Sequence, residues 1–261
     1  MDKISTILIP FDFSESAKRA LEYAVAFIGR NGDIKIILAY ISGHSNFELL
    51  PENFTKLEEK YRLVLKNKME WKIQGGSLTQ SLLDIQKTRQ IDLVIMGTLG
   101  SRMDGNSGET NTSKLVLAAD CPVLVVPKGN IDFRMRCIAL VLGKEEIDDT
   151  EALGILLKFA RRFNAKVHVV TVKNRPGSYG YSEEEEKNKN TVEYYLENFY
   201  AERVFINNKD VAKGILTYVS KNDIDLIAIL PRNHAMHGEP SEGQLTRFLA
   251  VHSQVPVLAI D

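Results

Sequence analysis

Cysteine is scarce in this chain: Cys121 and Cys137 are the two among 261 residues. Two thiols exclude a disulfide framework and read as reduced, packed side chains of a cytosolic protein. Long apolar runs are missing as well. None approaches the roughly 20 residues that span a bilayer, so no membrane segment is expected. Neither sign of charge is in excess, with 33 basic against 34 acidic residues and a net charge of −1. That balance supplies no long-range attraction to nucleic acid or anionic lipid. The start, Met1-Asp2-Lys3-Ile4, has no signal-peptide pattern, and a cytoplasmic location is the expectation. No Ser/His/Asp order, nucleophile elbow, paired-carboxylate signature or Cys/His cluster stands out, so no catalytic residue is nominated. Neither the phosphate loop ending Gly-Lys-Ser/Thr nor the Gly-x-Gly-x-x-Gly fingerprint is found.

What is present is a repeat. Ile91-Asp92-Leu93-Val94-Ile95-Met96-Gly97 returns as Ile224-Asp225-Leu226-Ile227-Ala228-Ile229-Leu230, so residue 91 stands against residue 224, an offset of 133. Cys121-Pro122-Val123-Leu124-Val125-Val126 returns as Val255-Pro256-Val257-Leu258-Ala259-Ile260, an offset of 134 between 121 and 255. A unit this long is a domain, not a solenoid repeat. The chain length also lies near the point where one core divides into two, each of about 130 residues here. Residues 1–128 and 129–261 are the two expected domains, with a polar linker over 128–136.

Periodicity assigns the elements. Apolar runs at 4–10, 34–41, 71–74, 93–97 and 123–126 read as strands of the first copy. Between them, 14–28, 51–67, 77–89 and 110–118 read as helices, the first with Ala17, Ala20, Leu21, Ala24, Val25 and Ile28 on one face. In the second copy, strands are expected at 138–142, 167–172, 204–206, 226–230 and 257–260. Helices are expected at 150–163, 191–200, 211–220 and 244–252, with a polar loop over 174–186 containing Glu183 to Glu186. Strands alternating with helices, and unbroken apolar runs such as Ile36-Ile37-Leu38, predict an α/β fold. Each copy is a doubly wound parallel sheet flanked by helices.

Ligands of such sheets sit beyond the carboxyl ends of strands, where strand order reverses. The first strand of copy one ends Pro10-Phe11-Asp12, and the fourth ends Met96-Gly97-Thr98-Leu99-Gly100-Ser101-Arg102. A loop then leads past Gly108 to Thr110-Asn111-Thr112, which open a helix whose start is a natural anion site. Asp12 is suited to accept from an adenine amino group or a ribose hydroxyl. On spacing alone, a tight exposed turn accounts for the glycines better than a phosphate site does. The second copy has Gly143 and Lys144 where Asp12 would fall, and Leu230-Pro231 where the glycine stands. Proline has no N–H, so phosphate binding is expected of the first copy alone. His234 and His237, with His252 downstream, have the spacing of metal ligands but no Cys or carboxylate partner. They read as solvated surface residues. Cys121 reads as packing.

Ile7-Leu8-Ile9-Pro10-Phe11-Asp12-Phe13-Ser14-Glu15-Ser16 resembles the opening of a universal stress protein domain. Met96-Gly97-Thr98-Leu99-Gly100 and Cys121-Pro122-Val123-Leu124-Val125-Val126-Pro127 resemble its fourth and fifth strand signatures. The resemblance extends over the chain as a tandem of two domains, strongest in 4–30 and 91–127. It implies a five-stranded parallel sheet per domain, of the adenine nucleotide alpha hydrolase-like kind. Many members bind ATP through Gly-x2-Gly-x9-Gly-Ser/Thr, and others lack the motif. By position, Pro10, Phe11 and Asp12 would line the adenine and ribose pocket, with the Tyr40 backbone against the base. Met96, Gly97 and Gly100 would flank ribose and phosphates, and Thr110 and Asn111 would hold phosphate. The sequence departs from that pattern: Gly108 follows Gly100 after seven residues, Thr110 follows after nine, and Glu109 precedes it. A carboxylate repels polyphosphate unless Arg102 or a nucleotide-bound Mg2+ intervenes, so AMP, ADP or a cyclic dinucleotide suffers less than ATP. The resemblance also implies pairing of the two domains through their fifth strands, and it leaves a homodimer open. The functional expectation is a cytosolic stress-response protein whose first domain binds an adenine nucleotide (ATP, ADP or AMP) as a sensor or regulator. Its rivals are a non-binding scaffold for a protein partner and a weak ATP hydrolase.

Overall fold

The computed structural model describes residues 4–29, 32–42, 50–99, 110–129, 132–142, 147, 150–173, 183–230 and 244–260; for 183–188 it describes the backbone alone. The chain forms two compact units, Met1–Phe133 and Arg134–Asp261. In the first, β1 (Thr6–Pro10), β2 (Lys35–Ser42), β3 (Glu70–Gly75), β4 (Leu93–Gly97) and β5 (Val123–Val126) alternate with α1 (Glu15–Ile28), α2 (Leu50–Tyr61), α3 (Leu78–Thr88) and α4 (Asn111–Ala118). The strands pair in parallel in the order β3-β2-β1-β4-β5. The second unit repeats the winding with β6 (Cys137–Val141), β7 (Lys166–Lys173), β8 (Tyr200–Asn207), β9 (Leu226–Ile229) and β10 (Val257–Ala259). Its helices are α5 (Glu151–Phe163), α6 (Glu183–Leu196), α7 (Val211–Lys221) and α8 (Gln244–His252), and its strand order is β10-β9-β6-β7-β8. Both units are therefore α/β, each with five parallel strands.

The central strands are buried on both faces, as Ile7, Leu8 and Ile9 illustrate, which is why their sequence runs apolar without alternation. Helix α1 starts at Ser14, whose Oγ accepts from Ala17 N at 3.3 Å, and stops at Gly29 in the left-handed region at φ 69°. All six of its expected core positions are buried. Tyr23 and Phe27 widen that face because Phe133 packs edge-on against both rings, at 5.0 and 6.4 Å.

Three elements, α2, α6 and β8, differ most from the sequence expectation. Helix α2 ends at Tyr61, not at residue 67. The amides of Val64 and Leu65 turn back to the Tyr61 carbonyl, at 2.9 and 3.0 Å, and Leu63 is left 91% exposed. Its apolar side chain continues the helical stripe in sequence but not in space. Helix α6 begins at Glu183, inside the stretch read as a loop, and four carboxylates in a first turn suit the helix dipole. It ends at Leu196; a 3-10 turn, Glu197–Phe199, leads into β8 at Tyr200, where a helix end was expected. Strand β8 is eight residues long instead of three. As an edge strand it tolerates polar side chains such as Glu202 and Arg203, which blur its pattern.

One shared device ties the first and fourth strands of each unit at their amino ends. Asp92 Oδ2 accepts from Ser5 N (2.8 Å), Ser5 Oγ (2.6 Å) and Thr6 N (2.9 Å). Asp225 Oδ2 accepts from Arg136 N (2.7 Å) and Cys137 N (3.1 Å). Each aspartate also returns its own N–H to the first strand, Asp92 to Thr6 O and Asp225 to Cys137 O.

Candidate functional site

In the first unit the winding reverses between β1 and β4, the place where doubly wound sheets open a crevice. Pairing of Ile7 with Leu93 and Leu8 with Val94 carries Pro10 and Phe11 to the level of Met96 and Gly97. Pro10 also pairs with Ala39, next to Tyr40. The structure thus brings Pro10, Phe11, Asp12, Tyr40, Met96 and Gly97 to one end of three adjacent strands. Thr110, Asn111 and Thr112 open α4. Gly100, Ser101, Arg102, Gly108 and Glu109 lie outside the described residues, as do Gly143, Lys144, Pro231, His234 and His237.

Each side chain has a local reason for its placement. Phe11 N donates to Ala39 O at 2.8 Å, and its ring is 1% exposed, packed on Phe13 and Phe54. Backbone, not ring, is what Phe11 offers outward. Phe13 adopts φ 62°, uncommon for a bulky residue and a mark of local strain. The turn sets its ring against Phe11 (5.0 Å), Phe54 (5.0 Å) and Tyr40 (6.3 Å). Asp12, between the two phenylalanines, is exposed, and its Oδ1 accepts from Ser14 N at 3.0 Å. Among the described residues, Ser14 N is the donor it meets, through that one oxygen. Met96 and Thr112 are buried, Tyr40 is half-buried, and Thr110 and Asn111 are exposed.

Helix α4 is capped from within. Thr110 Oγ1 accepts from Ser113 N at 3.1 Å, and Ser113 Oγ donates to Thr110 O at 2.9 Å. The Thr110 hydroxyl is therefore already a cap. The amides of Asn111 and Thr112 belong to the first turn, which has no carbonyl partner within a helix. Arg19 Nη2 donates to Thr98 O at 3.3 Å and pins the first residue after β4.

Gly97 and Thr98 also have local packing and bonding roles. A Cβ on Gly97 would stand 2.1 Å from the Ser16 carbonyl oxygen, so this glycine admits the first turn of α1 against β4. The amide of Thr98, which aligns with Pro231, donates to Val126 O at 3.0 Å. In the first unit, then, the amide at that position is engaged in the sheet ladder. Phe13, Phe54, Ser16 and Arg19 were not singled out from sequence. The run Phe11-Asp12-Phe13 signals an aromatic hub, but the partner Phe54 comes from a helix distant in sequence.

Among the described residues no group of three or more His, Cys, Asp or Glu is arranged for a metal. No described helix is long and apolar enough to cross a membrane. His252 Nδ1 donates to Phe248 O at 2.9 Å. Cys121 is buried, and burial, with Asp120 and Asp92 nearby, pushes its thiol up to about 12, consistent with packing.

Among solved structures the chain is similar to a universal stress protein from Archaeoglobus fulgidus, with TM-score 0.70 and 14% identity over 99% of this chain and 97% of that one. It is similar to a functionally unknown protein from Pseudomonas aeruginosa, with TM-score 0.67 and 16% identity over 98% and 92%. It also resembles the cytoplasmic domain of a prokaryotic cation chloride cotransporter, with TM-score 0.59 and 12% identity over 99% and 96%. At these identities the likeness is one of fold. No curated protein matches the chain. The model of the universal stress protein family matches residues 3–127 and again 138–261. With both halves matched, the chain belongs to the universal stress protein family, as a tandem of two such domains.

Proposed function

We propose that the first unit binds an adenine nucleotide and that the chain acts as a nucleotide-dependent regulator in a stress response. One observation carries this reading. At the β1/β4 switch point an exposed carboxylate, Asp12, with one oxygen held by Ser14 N, shares its end of the sheet with Gly97 and Tyr40. A carboxylate fixed on one oxygen accepts from a base amino group or a ribose hydroxyl through the other. The first-turn amides of α4 attract phosphate through the helix dipole, and a bound Mg2+ would offset the polyphosphate charge. No residue is assigned to activate water, so hydrolysis is not part of the proposal.

Denaturing the purified chain and identifying any released nucleotide by mass tests the reading. A ligand at 100 times its Kd stabilises the folded state by about 2.7 kcal/mol, a shift visible in a thermal melt with ATP, ADP or AMP. Asp12→Ala is expected to weaken binding by roughly tenfold, the scale of one charge-assisted hydrogen bond. An empty protein that also shows no shift with any of the three nucleotides sinks the proposal and favours the scaffold.

A further inference from the structure

The second unit has a groove along its last two helices. Helices α7 and α8 leave a groove of about 680 Å³ between them, within the range of small-molecule sites. In the first unit Gln86 on α3 reaches the turn after α4. With its amide oriented to meet two donors, Gln86 Oε1 accepts from Cys121 N at 2.7 Å and Asp120 N at 3.1 Å. Val219 replaces that glutamine on α7. The turn after α8 is instead satisfied by Ser253, whose Oγ accepts from Val255 N (3.1 Å) and donates to Val255 O (2.6 Å). Val219 offers no polar group for such a tie between the helices.

Its lining is specific to this copy. Where α4 carries Lys114 and Ala118, α8 carries Phe248 and His252. Those two rings stack at 4.0 Å and 12°, and Phe248 is 40% exposed, so an aromatic shelf faces open space. His252 Nδ1 donates to Phe248 O; the neutral ring therefore keeps a bare Nε2, an acceptor. Ser220 and Asp223, beside the C-terminal end of α7, add acceptor oxygens, whereas Asp210 caps the opposite end of the helix, its Oδ1 accepting from Lys213 N at 3.0 Å.

We infer that this groove binds a planar nitrogen heteroaromatic that bears N–H donors and no phosphate, such as a purine or aminopyrimidine base or its nucleoside. The shelf supplies stacking, which is sequence-tolerant for bases because each has a π face. The acceptors receive ring and amino N–H groups. The Asp223 carboxylate in the lining disfavours an anionic phosphate beside it. The inference rests on the second unit and is independent of the nucleotide proposal.

Calorimetric titration of the full chain with adenosine, cytidine and AMP tests it. Adenosine and cytidine are expected to bind, with cytidine insensitive to Asp12→Ala. Phe248→Lys, which installs the first unit's residue, should weaken cytidine by about tenfold or more, the scale of one lost stacking contact. His252→Ala, also the first unit's residue, should weaken it several-fold while its thermal melt stays at the wild-type position. If Phe248→Lys unfolds, His252→Ala decides. The inference is overturned if cytidine gives no saturable binding up to about 5 mM, a bound near 3 kcal/mol of affinity. It is overturned equally if both variants bind as wild type, or if Asp12→Ala abolishes all binding.

Discussion

Gly97 and Leu230 align in the two units, Gly97 closing β4 and Leu230 following β9, and the difference between them has a steric side. In the first unit four residues, 11–14, connect β1 to α1, and nine, 142–150, connect β6 to α5. The short connection drives the first turn of α1 onto β4, where only a residue without Cβ fits beside Ser16. The second unit carries leucine at the aligned position. The caps differ in parallel: Ser14 bonds into α1, while Thr150 sits in the αR region with no side-chain cap. Gly97 therefore carries a packing duty in the first unit, beside whatever part it takes in binding phosphate.

Exchanging the residues is the strongest way to break this comparison. Gly97→Leu is expected to cost about 3 kcal/mol or to prevent folding, because the clash is with backbone that cannot rotate away. A urea titration followed by circular dichroism reads it, and a wild-type midpoint would discard the steric account. The aspartate clamps come next. Asp92→Ala should cost about 2–3 kcal/mol and Asp225→Ala about 1–2, since the first loses three donors and the second two. Equal losses would mean that the Ser5 hydroxyl adds nothing.

The thiols separate the units by pH. Burial raises Cys121 from 9.0 to about 12, and burial also raises Cys137, which is only half-buried. A thiol raised on folding contributes stability in full below its unfolded value and loses it as pH climbs through the folded one. The first unit should therefore weaken from about pH 9 towards 12, and Cys121→Ala should remove that dependence. In the second unit Tyr218, raised from 10.0 to about 12 by burial and the nearby Glu202, begins its loss about one pH unit later. Iodoacetamide at about pH 8.5 should label Cys137 at least tenfold faster than Cys121, read by peptide mass. The smallest effect concerns helix ends. Gly29→Ala should cost about 1 kcal/mol from its positive φ alone, since no atom lies within 4 Å of the added Cβ. Asn164→Gly, at φ 51° on α5, should change stability by less than about 0.5 kcal/mol.

The buried strands and α1 were legible because their apolar runs and spacing are dictated by burial on two faces or one. The edge strand β8 and the start of α6 were not, since neither has a buried face strong enough to imprint a pattern. Asp92 and Asp225 were visible as the single charge retained inside a repeated apolar run, yet their role needed the partner strand. At the site, sequence indicated which strand ends meet, because that follows from the order of winding. It could not show that Phe11 turns inward, that Phe13 takes a left-handed turn, or that Gly97 serves a helix contact. Those depend on rings and carbonyls brought together from distant segments.

The aromatic hub of the first unit has an optical consequence. The chain holds one tryptophan, Trp71, on β3 and 38% exposed, stacked on Phe54 at 5.2 Å and 2°. Phe54 in turn touches Phe11 and Phe13, which flank Asp12. Indole emission from this protein therefore originates in one half of the molecule, two rings away from the candidate pocket. The other half is dark at that wavelength, so a single fluorescence trace follows the fate of one domain while both are in the cuvette.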